Sequence, residues 1–278
     1  MIEICHGIPY VSFSIFKKAG HVKAAVASRK GGVSTAPFDS LNMSFSTGDD
    51  PDAVRENRRR FLSLLGIAPA DMVSCCQVHG THIEVVGKKD RGRGALSLET
   101  ALTSCDGLLT SDPGVPLTMN FADCTPLLFY DPVRRAGGLA HGGWRGTAGN
   151  IGGAMVRLME ERFGSRPEDI LAGIGPAIGP CSFEVGRDVV DAFASLFTEA
   201  EMKELAAPEE GKEGKFLFHL PLANRLLLRR AGLWDSHIED AGICTYCRED
   251  LFYSYRKSGG RCGRHMAVFS LDGPGGGF

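Results

Sequence analysis

Two apolar runs joined by a single Asp-Pro turn constrain this chain more than any other feature. Within Asn120 to Thr147, an apolar run follows Cys124 and stops at Asp131-Pro132, and a second run ends in His141. Strands joined by so short a turn pair side by side, so their far ends meet. The pairing predicts that the Cys124 thiol and the His141 imidazole lie together at one end of a sheet. Gly142, Gly143, Trp144, Arg145 and Gly146 follow directly, which sets a guanidinium and unhindered backbone beside them. Asp123 neighbours Cys124, but adjacent residues on a strand face opposite sides.

The remaining segments read as a wall around that point. Residues 9–16 and 21–28 are β-rich and split by Lys17-Lys18-Ala19-Gly20, the pattern of a hairpin. The second run empties into Ser28-Arg29-Lys30-Gly31-Gly32, where Arg29 could hold an anion. Read on residues alone, that segment is a glycine turn with a solvated arginine. Asp49-Asp50-Pro51 opens a helix with Val54, Phe61, Leu62 and Leu65 on one face and Gly66 as its stop. Its run Arg58-Arg59-Arg60 reads as a solvated face. Met72 to Val86 is strand, polar interruption and strand, with His79 and His82 in the interruption. Lys88 to Gly94 reads as a mobile loop. Asp106–Thr110 and Val115–Asn120 read as strands, Thr147–Phe163 as a helix stopped by Gly164, and Ile170–Ile174 as a buried strand. A Gly/Pro-rich irregular stretch, 175–181, comes next. Helices over Arg187–Phe197 and Pro221–Ala231, a charged loop over Pro208–Lys215, a strand from Met266 to Leu271 and a frayed glycine-rich tail, 273–278, complete the chain. Helices and strands mix without regular alternation, which favours α+β with mixed sheets over a doubly wound layout. No Pro/Ser-rich linker divides the chain, so one domain over 1–278 is expected.

Charge and cysteine content narrow the function. A formal net charge of −2 gives no basic footprint for nucleic acid. No apolar run approaches the ~20 residues of a membrane span. Nine cysteines, an odd number, stand in a chain that opens without a signal-peptide pattern. Free thiols in a reducing cytoplasm are the expected state.

His79, Cys124 and His141 each fall at a predicted strand end. Three protein ligands with one open position make the catalytic zinc pattern, and a single thiolate leaves the dication Lewis-acidic. The same atoms fit a second chemistry, with Cys124 as nucleophile and His141 as its base. Spacing alone leaves both open. Cys244-x-x-Cys247 has no second ligand pair nearby and reads as structural or incidental. Cys75, Cys76, Cys105, Cys181 and Cys262 read as buried small hydrophobes or spectators.

Gln77-Val78-His79-Gly80, Ala122-Asp123-Cys124-Thr125-Pro126, His141-Gly142-Gly143-Trp144-Arg145-Gly146-Thr147, Gly175-Pro176-Ala177-Ile178-Gly179 and Phe252-Tyr253-Ser254-Tyr255-Arg256 together resemble the signature blocks of the YfiH family. This is the laccase-domain or polyphenol oxidase group, also described as purine nucleoside phosphorylases. The resemblance runs in order from Arg29 to Arg264. It implies a layered α/β/β/α domain and a zinc ion, with copper as the older assignment, held by His79, Cys124 and His141. It also implies phosphorolysis of adenosine, inosine and S-methyl-5′-thioadenosine, together with adenosine deamination. The phosphate would fall to Arg145, with Arg29, Arg58 and Arg264 behind it, and Gln77 would line the substrate site. Gly142 stands where the family usually has alanine, and Met43 to Thr47 departs from the usual residues before Gly48-Asp49-Asp50. Three alternatives remain: a Cys-His hydrolase editing cell-wall precursors, a non-enzymatic nucleoside-binding protein, and a polyphenol oxidase. Eight histidines without a His-x-His pair disfavour the last.

Overall fold

Each long strand in the chain is apolar on both faces, and the computed structural model, which describes residues 1–272, shows why. The N-terminal part contributes β1 (Ile2–Cys5), β2 (Ile8–Ser12), α1 (Ser14–Ala19), β3 (Val22–Ala27) and α2 (Pro51–Leu64). Short strands β4 (Val73–Ser74) and β5 (Ile83–Val85) follow, then β6 (Gly107–Thr110), β7 (Leu117–Phe121), β8 (Thr125–Asp131) and β9 (Ala136–Gly142). Helices α3 (Trp144–Ala148) and α4 (Ile151–Phe163) lead to β10 (Leu171–Ile174) and β11 (Glu184–Gly186). The rest comprises α5 (Arg187–Ala194), α6 (Glu199–Leu205), β12 (Ala206–Pro208), β13 (Lys215–Phe218), α7 (Leu220–Arg230), β14 (Ile238–Asp240) and β15 (His265–Leu271). The fold is a mixed α+β arrangement.

Two six-stranded sheets carry it, in the orders β1-β2-β3-β15-β7-β4 and β14-β10-β8-β9-β6-β5, with a small β11-β13-β12 sheet beside them. The period of two along each strand sorts side chains between different apolar clusters. On β8, Leu128 and Tyr130 join a cluster that also holds Phe269 of β15 and Met119 of β7, drawing from both large sheets. Their neighbours Leu127 and Phe129 pack instead with Met155 and Met159 of α4 and Leu228 of α7. On β15, Met266 and Val268 face Phe61 and Leu62 of α2. Strands buried on both faces read as unbroken apolar runs, which is the pattern seen in the sequence.

Several sequence expectations need correction. β2 and β3 do pair, Tyr10 opposite Ala27, but their connection is the helix α1 rather than a plain turn. Phe13 and Phe16 are buried one helical turn apart, and the Glu239 carboxylate accepts from the Ser14 and Ile15 N–H groups that open the helix. β1 adds an edge strand through His6-Gly7, both at positive φ as a tight hairpin turn requires. The helix expected over Thr147–Phe163 is two, because Asn150 sits at φ 57° and caps the Gly153 N–H with its own side chain. Arg58 is buried rather than solvated. The glycine-rich tail lies outside the described residues. Among the described residues, no helix is long and apolar enough to cross a membrane.

The place of β9 between β8 and β6 depends on Gly137-Gly138. A Cβ at Gly138 would stand 1.9 Å from the Leu108 carbonyl oxygen, and one at Gly137 2.2 Å from that of Phe129. Backbone cannot yield as a flexible side chain would. Gly138→Ala is therefore expected to lower stability by about 3 kcal/mol through overpacking, read from urea denaturation. An unchanged midpoint would mean that β9 is not wedged between those strands.

Candidate active site

β8 and β9 pair antiparallel with Pro126 opposite His141, which leaves Cys124 one residue before β8, beside the end of β9. His79 arrives from the connection between β4 and β5. Its nitrogen, the Cys124 sulfur and a His141 nitrogen all lie within 4.8 Å of one another. The two imidazole rings meet edge-on, with centroids 4.7 Å apart. Gly143 closes the cradle: a Cβ there would lie 3.1 Å from Cys124 Sγ and 3.2 Å from His79 Cδ2. A side chain there would crowd the ligand atoms by a few tenths of an ångström, which the bare backbone avoids. Two imidazoles and one thiol form a borderline-soft donor set that fits a divalent transition metal.

The residue that organises this triad went unnoticed in the sequence. Asp106 is fully buried, and its Oδ1 lies 2.8 Å from His141 Nδ1. The same carboxylate accepts from the N–H groups of Val78, His79 and Gly80, at 3.2, 2.9 and 2.7 Å. His79 holds a left-handed backbone, φ 62°, which bends the chain so that these consecutive donors converge. Burial pushes the Asp106 carboxyl up, but His141 and the Gly80 and Val78 N–H groups hold it below the usual range. With Nδ1 committed to Asp106, Nε2 of His141 is the nitrogen free to act as ligand or base.

Cys124 and His141 each favour the charged form of the other. Burial would raise the thiol, yet the His141 charge and hydrogen bonds from His141 and His79 bring it down to about 6. Burial would lower His141, but the Cys124 charge and Asp106 drive it up to about 9. The thiolate form is thus favoured at neutral pH, which a metal ligand and a nucleophile both need.

A cavity of about 520 Å³ opens onto the triad. Arg58, Arg256 and Arg264 line it, and among the described residues none of the three makes a salt bridge to a carboxylate. Arg58 instead donates to the carbonyls of Met43, Gly94 and Ala95 and lies over the Phe45 ring, and burial brings it down to about 9. Arg264 donates to the Cys262 and Gly263 carbonyls, and Arg256 to that of Glu184. Carbonyl partners leave the net positive charge in place.

Not every expected residue reaches the cavity. Arg145 is exposed and stacked on Trp144 at 4.3 Å, so Trp144 lines the cavity while Arg145 does not. Arg29 binds the Asp39 and Glu249 carbonyls and stacks on Tyr253, also away from the lining. Gln77 lines the cavity, but its amide exchanges both hydrogen bonds with the Asn120 backbone, so it extends β7 like an added strand residue. His82 turns outward to Glu84. Arg256 stood only in a signature block, and nothing in its own spacing singled it out. Asp123, φ 84°, accepts from Thr245 Oγ1, Ser254 Oγ and the Arg256 N–H, anchoring that arginine's segment beside Cys124.

Asp106→Asn tests the organising role. An amide keeps the volume but turns an N–H₂ group toward backbone donors, so metal affinity is expected to fall about 10–100-fold. A competition titration against a chromophoric chelator measures it, and an unchanged affinity would remove Asp106 from the metal's support.

The chain is 44% identical over 245 residues to the purine nucleoside phosphorylase YlmD of Geobacillus stearothermophilus, covering 88% of each. It is 34% identical over 237 residues to the purine nucleoside phosphorylase YfiH of Escherichia coli, covering 85% of this chain and 88% of that one. The crystal structure of YlmD from Geobacillus stearothermophilus superposes with a TM-score of 0.90 at 40% identity, covering 98% of both chains. A family model described as multi-copper polyphenol oxidoreductase laccase matches residues 23–272. The chain belongs to this laccase-domain family, the group of YfiH and YlmD.

Proposed function

We propose that this chain is a zinc-dependent purine nucleoside phosphorylase acting on adenosine, inosine and S-methyl-5′-thioadenosine, with adenosine deamination at the same site. One observation carries the reading: a single cavity joins the His79–Cys124–His141 triad to three guanidinium groups without carboxylate partners. A phosphate dianion would complete that charge, and guanidinium forks match its oxygens. The relatives' names support nucleoside and phosphate as the substrates. Three apolar clusters, one shared by the two large sheets, one lying against α4 and α7 and one lying against α2, fit an α/β/β/α layering, and we treat the chain as one catalytic domain.

Phosphorolysis breaks the bond from the purine nitrogen to the ribose C1′ and forms a C1′–phosphate bond. Arg58, Arg256 and Arg264 would hold the phosphate, and the rings of Phe45, Phe183 and Tyr255, each with one of these arginines over one face, would border the base. Asn120 lines the cavity, and its Oδ1 is buried without a partner, an acceptor for an N–H of the bound base or a ribose hydroxyl. Burying such an atom unpaired costs about 1–3 kcal/mol, which a ligand donor would recover. His79, Cys124 and His141 would hold zinc, which when bound supplies Lewis-acid polarisation and an activated water. Asp106 keeps the His141 tautomer fixed throughout.

Arg264→Lys retains charge but loses the fork. Its apparent phosphate KM is expected to rise about tenfold, equivalent to about 1.4 kcal/mol, with the nucleoside KM little changed. Equal phosphate dependence in the variant would move the phosphate elsewhere.

A second reading has its own support: Cys124, His141 and Asp106 are arranged as nucleophile, base and orienting acid. Chelation separates the two. Removing metal is expected to abolish base release and deamination, with recovery on zinc addition. Full activity in chelated protein, together with a covalent substrate adduct on Cys124 by intact mass, would establish the hydrolase instead.

A further inference from the structure

Cys181 reads in the sequence as a buried small hydrophobe or spectator and Cys244-x-x-Cys247 as structural or incidental, but Cys181 is exposed and lies beside the other two cysteines. β10 and β14 pair in parallel, Ile174 opposite Asp240, and their continuations keep pairing beyond the sheet. The Ala177 N–H donates to the Ile243 carbonyl and the Thr245 N–H to that of Ala177. This carries Cys181, at the end of the Gly/Pro-rich stretch, onto the Cys-x-x-Cys turn. Cys181 Sγ lies 3.5 Å from Cys244 Sγ and 3.4 Å from Cys247 Sγ, and all three sulfurs fall within 4.8 Å of one another.

We infer that Cys181, Cys244 and Cys247 form a second metal site, a three-thiolate centre for a zinc-class ion, separate from the His79–Cys124–His141 triad. Sulfurs bound tetrahedrally at ~2.3 Å stand about 3.8 Å apart, close to the spacings seen. The surroundings suit thiolates. The Gly179 N–H donates to Cys244 Sγ at 3.2 Å, and the Cys247 N–H donates to the same sulfur. Gly179 lies against the cluster: a Cβ there would be 3.4 Å from Cys244 Sγ and 3.5 Å from Cys181 Sγ. Cys181 and Cys247 are exposed, so the fourth position faces solvent beside the Ser182 hydroxyl, 3.5 Å from Cys181 Sγ. Each thiol loses its proton to solvent as the ion binds, with no change of oxidation state.

The location gives the centre a consequence. Thr245, inside the Cys-x-x-Cys turn, donates its hydroxyl to Asp123 Oδ1 at 2.6 Å, and the Ile178 N–H donates to the Asp123 carbonyl at 2.9 Å. Asp123 and Ile178 both line the active cavity. A bound ion would therefore pin two loops that form one wall of that cavity.

Metal counting tests the inference without reference to activity. Full-length protein stripped of metal under reducing conditions is titrated with zinc, alongside Cys124→Ser, Cys247→Ser and Cys181→Ser, with circular dichroism to check folding. The unsubstituted chain is expected to bind one equivalent more than Cys247→Ser or Cys181→Ser, and that equivalent should persist in Cys124→Ser. Cobalt in the Cys124→Ser protein should show intense sulfur-to-metal charge-transfer absorption. Zinc should also protect the Cys181, Cys244 and Cys247 peptides of that protein from alkylation, a readout that stands even if the Cys181 variant fails to fold. Loss of all bound metal in Cys124→Ser, with no zinc protection of the three peptides, would overturn the site. A mass lower by two hydrogens, marking a disulfide within the cluster that forms in place of zinc binding, would overturn it too.

Discussion

The Asp106 carboxylate is the contact on which the site depends. It joins β9, through His141, to the segment that leaves β4 in one large sheet and enters β5 in the other. A second crossing, from β7 to β8, carries Cys124. Both crossings lie at the same end of the two sheets. A buried charge stripped of these partners would be costly, since an unpaired buried ion loses several kcal/mol of hydration. With His141 and three backbone donors in place, Asp106 instead fixes the geometry of two ligands together.

The cavity's charge follows from the same economy of partners. Arg58 is buried on α2, where main-chain carbonyls satisfy its donors but leave its charge standing. Arg256 and Arg264 add to it on segments fastened by Asp123 and Asn42, which accept the backbone N–H of each arginine. A carboxylate partner would have closed the site to anions. Carbonyl partners order the side chains and keep the field, which is the electrostatic preorganisation that an anionic substrate needs.

Glycines let the pieces come this close. Gly137 and Gly138 let β9 slide between β8 and β6, and Gly143 keeps the space in front of the ligands clear. The high glycine content, 36 residues, is therefore partly a record of backbone packed against backbone or ligand rather than of loose loops.

Local pattern was enough for much of this. The apolar runs around Asp131-Pro132 determined the β8–β9 pairing and hence the meeting of Cys124 with His141, because a short turn permits few alternatives. Helix α2 followed from Asp50, Pro51 and Gly66, and α7 from its start at Pro221 and stop at Gly232, since such signals act over a few residues. Tertiary structure alone decided the rest. Asp106 lies 35 residues from His141, and Arg256 reaches the cavity through Asp123, 133 residues away, distances over which spacing carries no signal. It also turned Arg145 outward and Arg58 inward, although Arg58 sits in a run of three arginines, because helix rotation and the packing of α2 choose the face. Cys181 met Cys244 and Cys247 only because β10 and β14 run parallel at the sheet edge and hold their continuations together. Local pattern located most of the strands and helices, though not α1 or the break between α3 and α4; which of their side chains share a cavity depends on how the two large sheets meet.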